Sequence, residues 1–194
     1  GFIFAPQHHQ AMRHAIGPRR EMGVRTLFNL LGPLTNPAGA PNQLLGVYAD
    51  AWVRPIAEVL QALGSERVMV VHSEDGLDEI SIAAPTRVAE LRDGTVREYT
   101  IQPEDFGLNR AALEDLRVDS AERSLEIIQA IFDGLPGPAT DLLALNAGAA
   151  ITIAGLAEDL AGGVARAQSL LASGTVRETL AHFVATSQRL AEPS

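Results

Sequence analysis

Cysteine is absent, which excludes disulfides, thiolate metal sites and cysteine nucleophiles. No apolar run approaches the ~20 residues that a membrane-spanning helix needs. Basic residues are scarce, 15 against 24 acidic, for a net charge of −9. That balance argues against broad, non-specific binding to nucleic acid or to an anionic membrane, and leaves room for one local basic site. A phosphate loop of the Gly-x-x-x-x-Gly-Lys type, a nucleophile elbow and a dinucleotide fingerprint are all missing. What remains is ordinary: 194 residues, 46% apolar and 20% charged. Such a chain can bury a core, so dominant disorder is excluded. The lack of cysteine is compatible with a cytosolic protein.

Glycine and proline punctuate the chain into short units. Gly1-Phe2-Ile3-Phe4-Ala5-Pro6 is an abrupt apolar opening that reads as a buried strand with no earlier partner. Either the terminus is processed or tagged, or the chain is the back portion of a longer protein. Residues 7–16 have helical spacing that ends at Gly17-Pro18, and Pro18 opens a second short helix through Met22. Residues 26–31 are ambiguous, and the segment from Gly32 to Pro41 is too rich in proline for helix or central strand. Residues 43–49 and 67–72 are short apolar runs flanking a helical period over 51–63, a unit of the right length for a parallel crossover. Asp93-Gly94 between the runs 88–92 and 96–101 predicts a two-residue hairpin. Beyond Ser120, a plausible N-cap, helices are expected over 121–132, 139–154, 158–172 and 175–188. The second has a face of small residues suited to close packing. With no internal repeat and no linker, the chain reads as one α/β domain.

Three constellations carry chemistry. His72-Ser73-Glu74-Asp75-Gly76-Leu77-Asp78-Glu79 follows an apolar strand at its carboxyl end, where open α/β sheets place ligands. Asp75, Asp78 and Glu79 converge there across a turn at Gly76. They read either as hard oxygen ligands for Mg²⁺, which takes one or two carboxylates besides water and substrate phosphates, or as an acidic surface turn. The second is His8, His9, Arg13, His14, Arg19, Arg20 and Arg25, a local positive centre in an acidic chain. It suits an anionic substrate, since a guanidinium fork matches a carboxylate or phosphate, or else a set of solvated helix faces. The third is the Gly/Pro-rich segment 32–41, which reads as a rigid pocket lining or as a plain connection.

Phe2-Ile3-Phe4-Ala5-Pro6 with His8-His9, then Arg19-Arg20-Glu21-Met22-Gly23-Val24-Arg25-Thr26-Leu27-Phe28-Asn29-Leu30-Leu31-Gly32-Pro33-Leu34-Thr35-Asn36-Pro37, resembles the anthranilate phosphoribosyltransferases. Gly76-Leu77-Asp78-Glu79-Ile80-Ser81 is similar to the family's second signature. Asp141-Leu142-Leu143-Ala144-Leu145-Asn146-Ala147 resembles a third, weaker one. The resemblance covers essentially the whole chain.

It implies an enzyme of tryptophan biosynthesis, cytoplasmic and homodimeric, that moves the phosphoribosyl group of phosphoribosyl pyrophosphate onto the amine of anthranilate with Mg²⁺ as cofactor. The implied fold is α/β with a mixed, mainly parallel sheet flanked by helices, of the nucleoside phosphorylase/phosphoribosyltransferase catalytic-domain type. Asp78 and Glu79 match the family's magnesium ligands. Arg19 matches the arginine that binds the anthranilate carboxylate, and His9, Met12 and Pro33 match residues lining its entry tunnel. No residue is nominated as a general base, because an aromatic amine is already an uncharged nucleophile at neutral pH. Met12, Gln10 and Ser73 depart from common family residues at the tunnel wall and the turn. The family's glycine-rich diphosphate loop, its Lys-His-Gly-Asn segment and its helical domain occur nowhere in the sequence. The expectation is therefore that residues 1–194 are a C-terminal portion of the α/β catalytic domain, truncated at the N-terminus and inactive alone. A pyrimidine-nucleoside phosphorylase is the rival enzyme, though the run from Asn29 to Pro37 does not resemble that branch. A non-catalytic remnant or binding module is the rival of another class.

Overall fold

A computed structural model describes residues 28–36 and 38–191. The chain divides into two compact units, Gly1–Pro41 and Asn42–Ser194. The strand expected at Phe2–Phe4 and the helices expected over 7–16 and 18–22 lie outside the described residues.

In the first unit, helix α1 spans Phe28–Leu34 and contains Pro33. The sequence left residues 26–31 ambiguous and predicted loop from Gly32 onward; the helix takes up part of both. Proline's fixed φ of about −65° is itself helical, and what Pro33 removes is one N–H. Thr35 compensates at the end. Its N–H reaches the carbonyls of Leu31 and Gly32 at 3.1 and 3.2 Å, and its hydroxyl donates to Leu31 at 3.0 Å. A turn follows, in which the Ala38 N–H donates to Asn36 Oδ1 at 3.0 Å.

The second unit is built on a four-stranded sheet in the order β1 (Asn42–Gly46), β2 (Arg67–Ser73), β3 (Thr86–Arg92), β4 (Thr95–Ile101). Strands β1 and β2 are parallel and are joined through helix α2 (Val53–Ala62), the crossover that the sequence predicts. Strands β2, β3 and β4 pair antiparallel. Among the described strands the sheet is thus mixed with one parallel pairing, and the expectation of a mainly parallel sheet is corrected. The reason lies in what the connections contain. Only the β1–β2 link holds a crossover helix; residues 74–85 are spent on a turn and coil, and Asp93 and Gly94, at φ 51° and 71°, turn β3 straight back into β4.

Strand β2 is buried on both faces, which explains its unbroken apolar run. Val53, Ile56, Ala57 and Leu60 of α2 are buried at the i, i+3, i+4, i+7 spacing of a single helical face. On the opposite side Met69, Val71 and Val88 meet Leu145, Ala149, Ile153 and Val164, which belong to the helical layer. That layer consists of helices α3 (Ala121–Phe132), α4 (Pro138–Ile153), α5 (Leu160–Ala172) and α6 (Thr175–Ala191), close to the four expected spans. Ser120 caps α3 by accepting from the Arg123 N–H at 3.1 Å, as the sequence predicts. The small-residue face of α4 meets α5 backbone to backbone: a Cβ at Gly148 would collide with the Val164 main chain.

Candidate functional site

Because β1 and β2 run parallel, both end at the same edge of the sheet, and the segment 74–85 leaves β2 there. Ser73 and Gly76 form a tight turn, with the Gly76 N–H on the Ser73 carbonyl at 2.9 Å and Gly76 at φ 93°. The Ser73 N–H then donates to Leu77 at 3.0 Å, folding the turn back on the strand. Asp75 is consumed inside this structure. One carboxylate oxygen accepts from the Leu77 N–H at 3.2 Å and the other from the Ser81 hydroxyl at 2.5 Å. The convergence of Asp75 with Asp78 and Glu79 is therefore corrected: Asp75 shapes the turn. Ser81 is buried, accepts from the Ala83 N–H at 2.9 Å and donates its own N–H to Thr86 Oγ1 at 3.1 Å.

Asp78 and Glu79 stand at the crest of this segment, both exposed. Among the described residues no ion pair and no side-chain hydrogen bond engages either carboxylate. They line a cleft of about 430 Å³ together with Leu44 and Gly46 of β1, Val71 of β2, and Leu142 and Asn146 of α4. Two contacts fix their height in it. A Cβ built at Gly46 would overlap the Asp78 carbonyl, so only glycine lets the turn sit this close to β1. On the other side Asn146 grips Ile80. Its Oδ1 accepts from the Ile80 N–H at 3.0 Å, and its Nδ2 donates to the Ile80 carbonyl at 2.9 Å.

The donor set fits magnesium. Two adjacent, unpaired carboxylates at a cleft rim are hard oxygen ligands, and no third acidic or imidazole ligand joins them among the described residues. Mg²⁺ binds through one or two carboxylates and leaves its remaining positions to water and phosphate oxygens. His72 is not part of the set. Its Nδ1 lies 2.8 Å from the Val47 carbonyl, to which it donates, tying β2 to the end of β1. Asp141, on the first turn of α4, has its carboxyl pushed up by burial. A larger groove of about 510 Å³ runs along α3 and the start of α4, lined by Leu116, Ile127, Ile131 and Leu135. Its Arg123 and Glu126 pair with each other at 2.7 Å.

Of the remaining sequence-predicted site residues, His9, Met12 and Arg19 lie outside the described residues. Pro33 is partly buried within α1, in the first unit. Gly46 and Asn146 carried no role in the sequence reading. A glycine inside an apolar strand run is a recognised sign of close backbone approach, and an asparagine amid leucine and alanine in a helix interior is a poor helix former. Both signals were present.

The described residues thus form an α/β domain with an exposed acidic pair at the carboxyl edge of its mixed sheet. Residues 1–177 match the glycosyl transferase family, a/b domain, and the chain belongs to that family. Within it the chain is similar to particular enzymes. It is 60% identical over 192 residues to the anthranilate phosphoribosyltransferase of Halorhodospira halophila, covering 99% of this chain and 56% of that enzyme. With the anthranilate phosphoribosyltransferase of Chromohalobacter salexigens it shares 67% over 173 residues, 89% of this chain and 50% of that one. The chain thus spans about half the length of the curated relatives it matches. The crystal structure of anthranilate phosphoribosyltransferase from Thermus thermophilus superposes with a TM-score of 0.84 at 45% identity, over 91% of this chain and 52% of that one. The Saccharomyces cerevisiae enzyme in complex with PRPP and Mg gives 0.84 at 25% identity, over 93% and 52%.

Proposed function

We propose that the chain supplies the acidic, metal-holding half of an anthranilate phosphoribosyltransferase of tryptophan biosynthesis, a cytoplasmic homodimer with a catalytic domain of the nucleoside phosphorylase/phosphoribosyltransferase type. The reaction forms a bond between the anthranilate amine and the anomeric carbon of phosphoribosyl pyrophosphate. The bond from that carbon to pyrophosphate breaks with its electron pair, and the amine sheds one proton. The observation that carries the proposal is the pair Asp78–Glu79, unpaired among the described residues and held at the strand ends of a chain so similar to these enzymes.

In this reading Asp78 and Glu79 hold Mg²⁺ against the diphosphate. The metal, when bound, neutralises the charge that gathers on the leaving oxygens. Arg19 pairs with the anthranilate carboxylate and so directs the amine at the ribose, while His9, Met12 and Pro33 line the approach. Positioning of this kind supplies much of the rate, because the nucleophile needs no deprotonation before attack.

The test is a transfer assay on the full-length protein carrying this sequence, following anthranilate fluorescence. Transfer should require Mg²⁺ and release pyrophosphate. Changing Arg19 to Ala should raise the KM for anthranilate roughly ten- to a hundred-fold, the loss of a charge-assisted pair of about 1.5–3 kcal/mol. The KM for phosphoribosyl pyrophosphate should hold. Equal losses for both substrates, or none, would remove Arg19 from the carboxylate site.

A further inference from the structure

We infer that Asn146 is a positioning residue for the acidic pair. The inference rests on the reading of Asp78 and Glu79 as magnesium ligands. Asn146 sits in the middle of α4, where its neighbours Leu145, Ala147, Gly148 and Ala149 are apolar or small. Asparagine is a poor helix former because its side chain competes for backbone partners. Its place in this helix is accounted for by what the amide does.

The side chain reads Ile80 as a strand neighbour would, accepting from the N–H and donating to the carbonyl of the same residue. A third bond, from Nδ2 to the Leu142 carbonyl at 3.0 Å, ties the amide to its own helix and fixes its rotamer. The N–H of Ile80 belongs to the peptide that joins it to Glu79, so the clamp acts one bond away from a metal-binding residue. The Ile80 side chain is buried, which locks the same residue a second time. Across the turn, the Asp78 carbonyl rests on Gly46. The pair is therefore held from α4 on one side and from β1 on the other, and Asn146 itself lines the cleft they face.

Only a side chain with an acceptor and a donor at this reach can serve. Leucine keeps the bulk and loses all three bonds. Aspartate keeps the acceptor, loses the donor and sets a charge against the Ile80 carbonyl. Groups that orient metal ligands typically change metal affinity or activity about 10- to 100-fold when removed.

The experiment uses the full-length protein with Asn146→Leu and Asn146→Asp, titrated calorimetrically with Mg²⁺ and phosphoribosyl pyrophosphate. Apparent affinity should fall about 10- to 100-fold in both variants. Amide hydrogen exchange at Ile80 should speed up, the KM for anthranilate should stay put, and excess Mg²⁺ should restore kcat. Faster exchange at Ile80 with unchanged Mg²⁺ affinity would overturn the inference, as would an equal loss for both substrates. Failure of both variants to fold would assign Asn146 to the core and overturn it too. Asp78→Asn and Glu79→Gln run alongside separate the two levels: if they leave Mg²⁺ dependence intact, the reading of the acidic pair falls and the role of Asn146 falls with it.

Discussion

At Gly46 the last residue of β1 and the carbonyl of Asp78 approach so closely that a methyl group has no room, and the atom in the way is backbone. A flexible side chain could swing aside; a peptide carbonyl at the base of a knitted turn cannot. Gly46→Ala should therefore destabilise by about 1–3 kcal/mol, the usual range for overpacking. In a domain of this size that lowers the melting temperature by about 2–4 °C per kcal/mol. Differential scanning calorimetry checks it, and an unchanged melting temperature would show that the turn yields without cost. An acidic segment past an apolar strand was legible in the sequence, but its spacing left metal ligands and a plain surface turn both open, and only the family resemblance singled out Asp78 and Glu79. The division of labour between Asp75 and Asp78 was not legible. It depends on which carboxylate turns toward Ser81, and nothing in the spacing decides that.

Among the elements, α4 and α5 approach each other at two glycines, Gly148 and Gly163. A Cβ at Gly163 would collide with the Gly148 carbonyl and the Thr152 hydroxyl. That hydroxyl already donates to Gly148 at 2.8 Å. Gly163→Ala gains about 0.5–1 kcal/mol of helix propensity and loses about 1–3 kcal/mol to overpacking. The collision wins, and chemical denaturation should show a net loss of stability. A net gain would mean the helices separate freely. The helices of this layer were legible because each carries a period, a cap or a glycine break within its own sequence. The end of α1 was not: proline normally marks the end of a helix, and here Thr35 takes over the terminal carbonyls two residues later. The parallel share of the sheet was overestimated for a related reason. The run over 67–72 is apolar on both faces, and burial from both sides does not say which way its neighbours run.

At the scale of the molecule, the sheet edge, the helix α4 and the turn over 73–85 make one site from residues far apart in the chain. Asn146 and Ile80 are 66 residues apart, which is why the sequence, read locally, could hold both and connect neither. The central claim is that Asp78 and Glu79 bind magnesium together with a diphosphate. Calorimetric titration of phosphoribosyl pyrophosphate into the full-length protein, with and without Mg²⁺, tests it most directly when run on the wild type beside Asp78→Asn and Glu79→Gln. Both side chains are exposed and unpaired among the described residues, so the variants should keep the wild-type melting temperature. The account predicts Mg²⁺-dependent binding in the wild type that weakens roughly ten- to a hundred-fold in each variant, the loss of about 1.5–3 kcal/mol of charge-assisted ligation. Equal, undiminished binding in wild type and variants would contradict it.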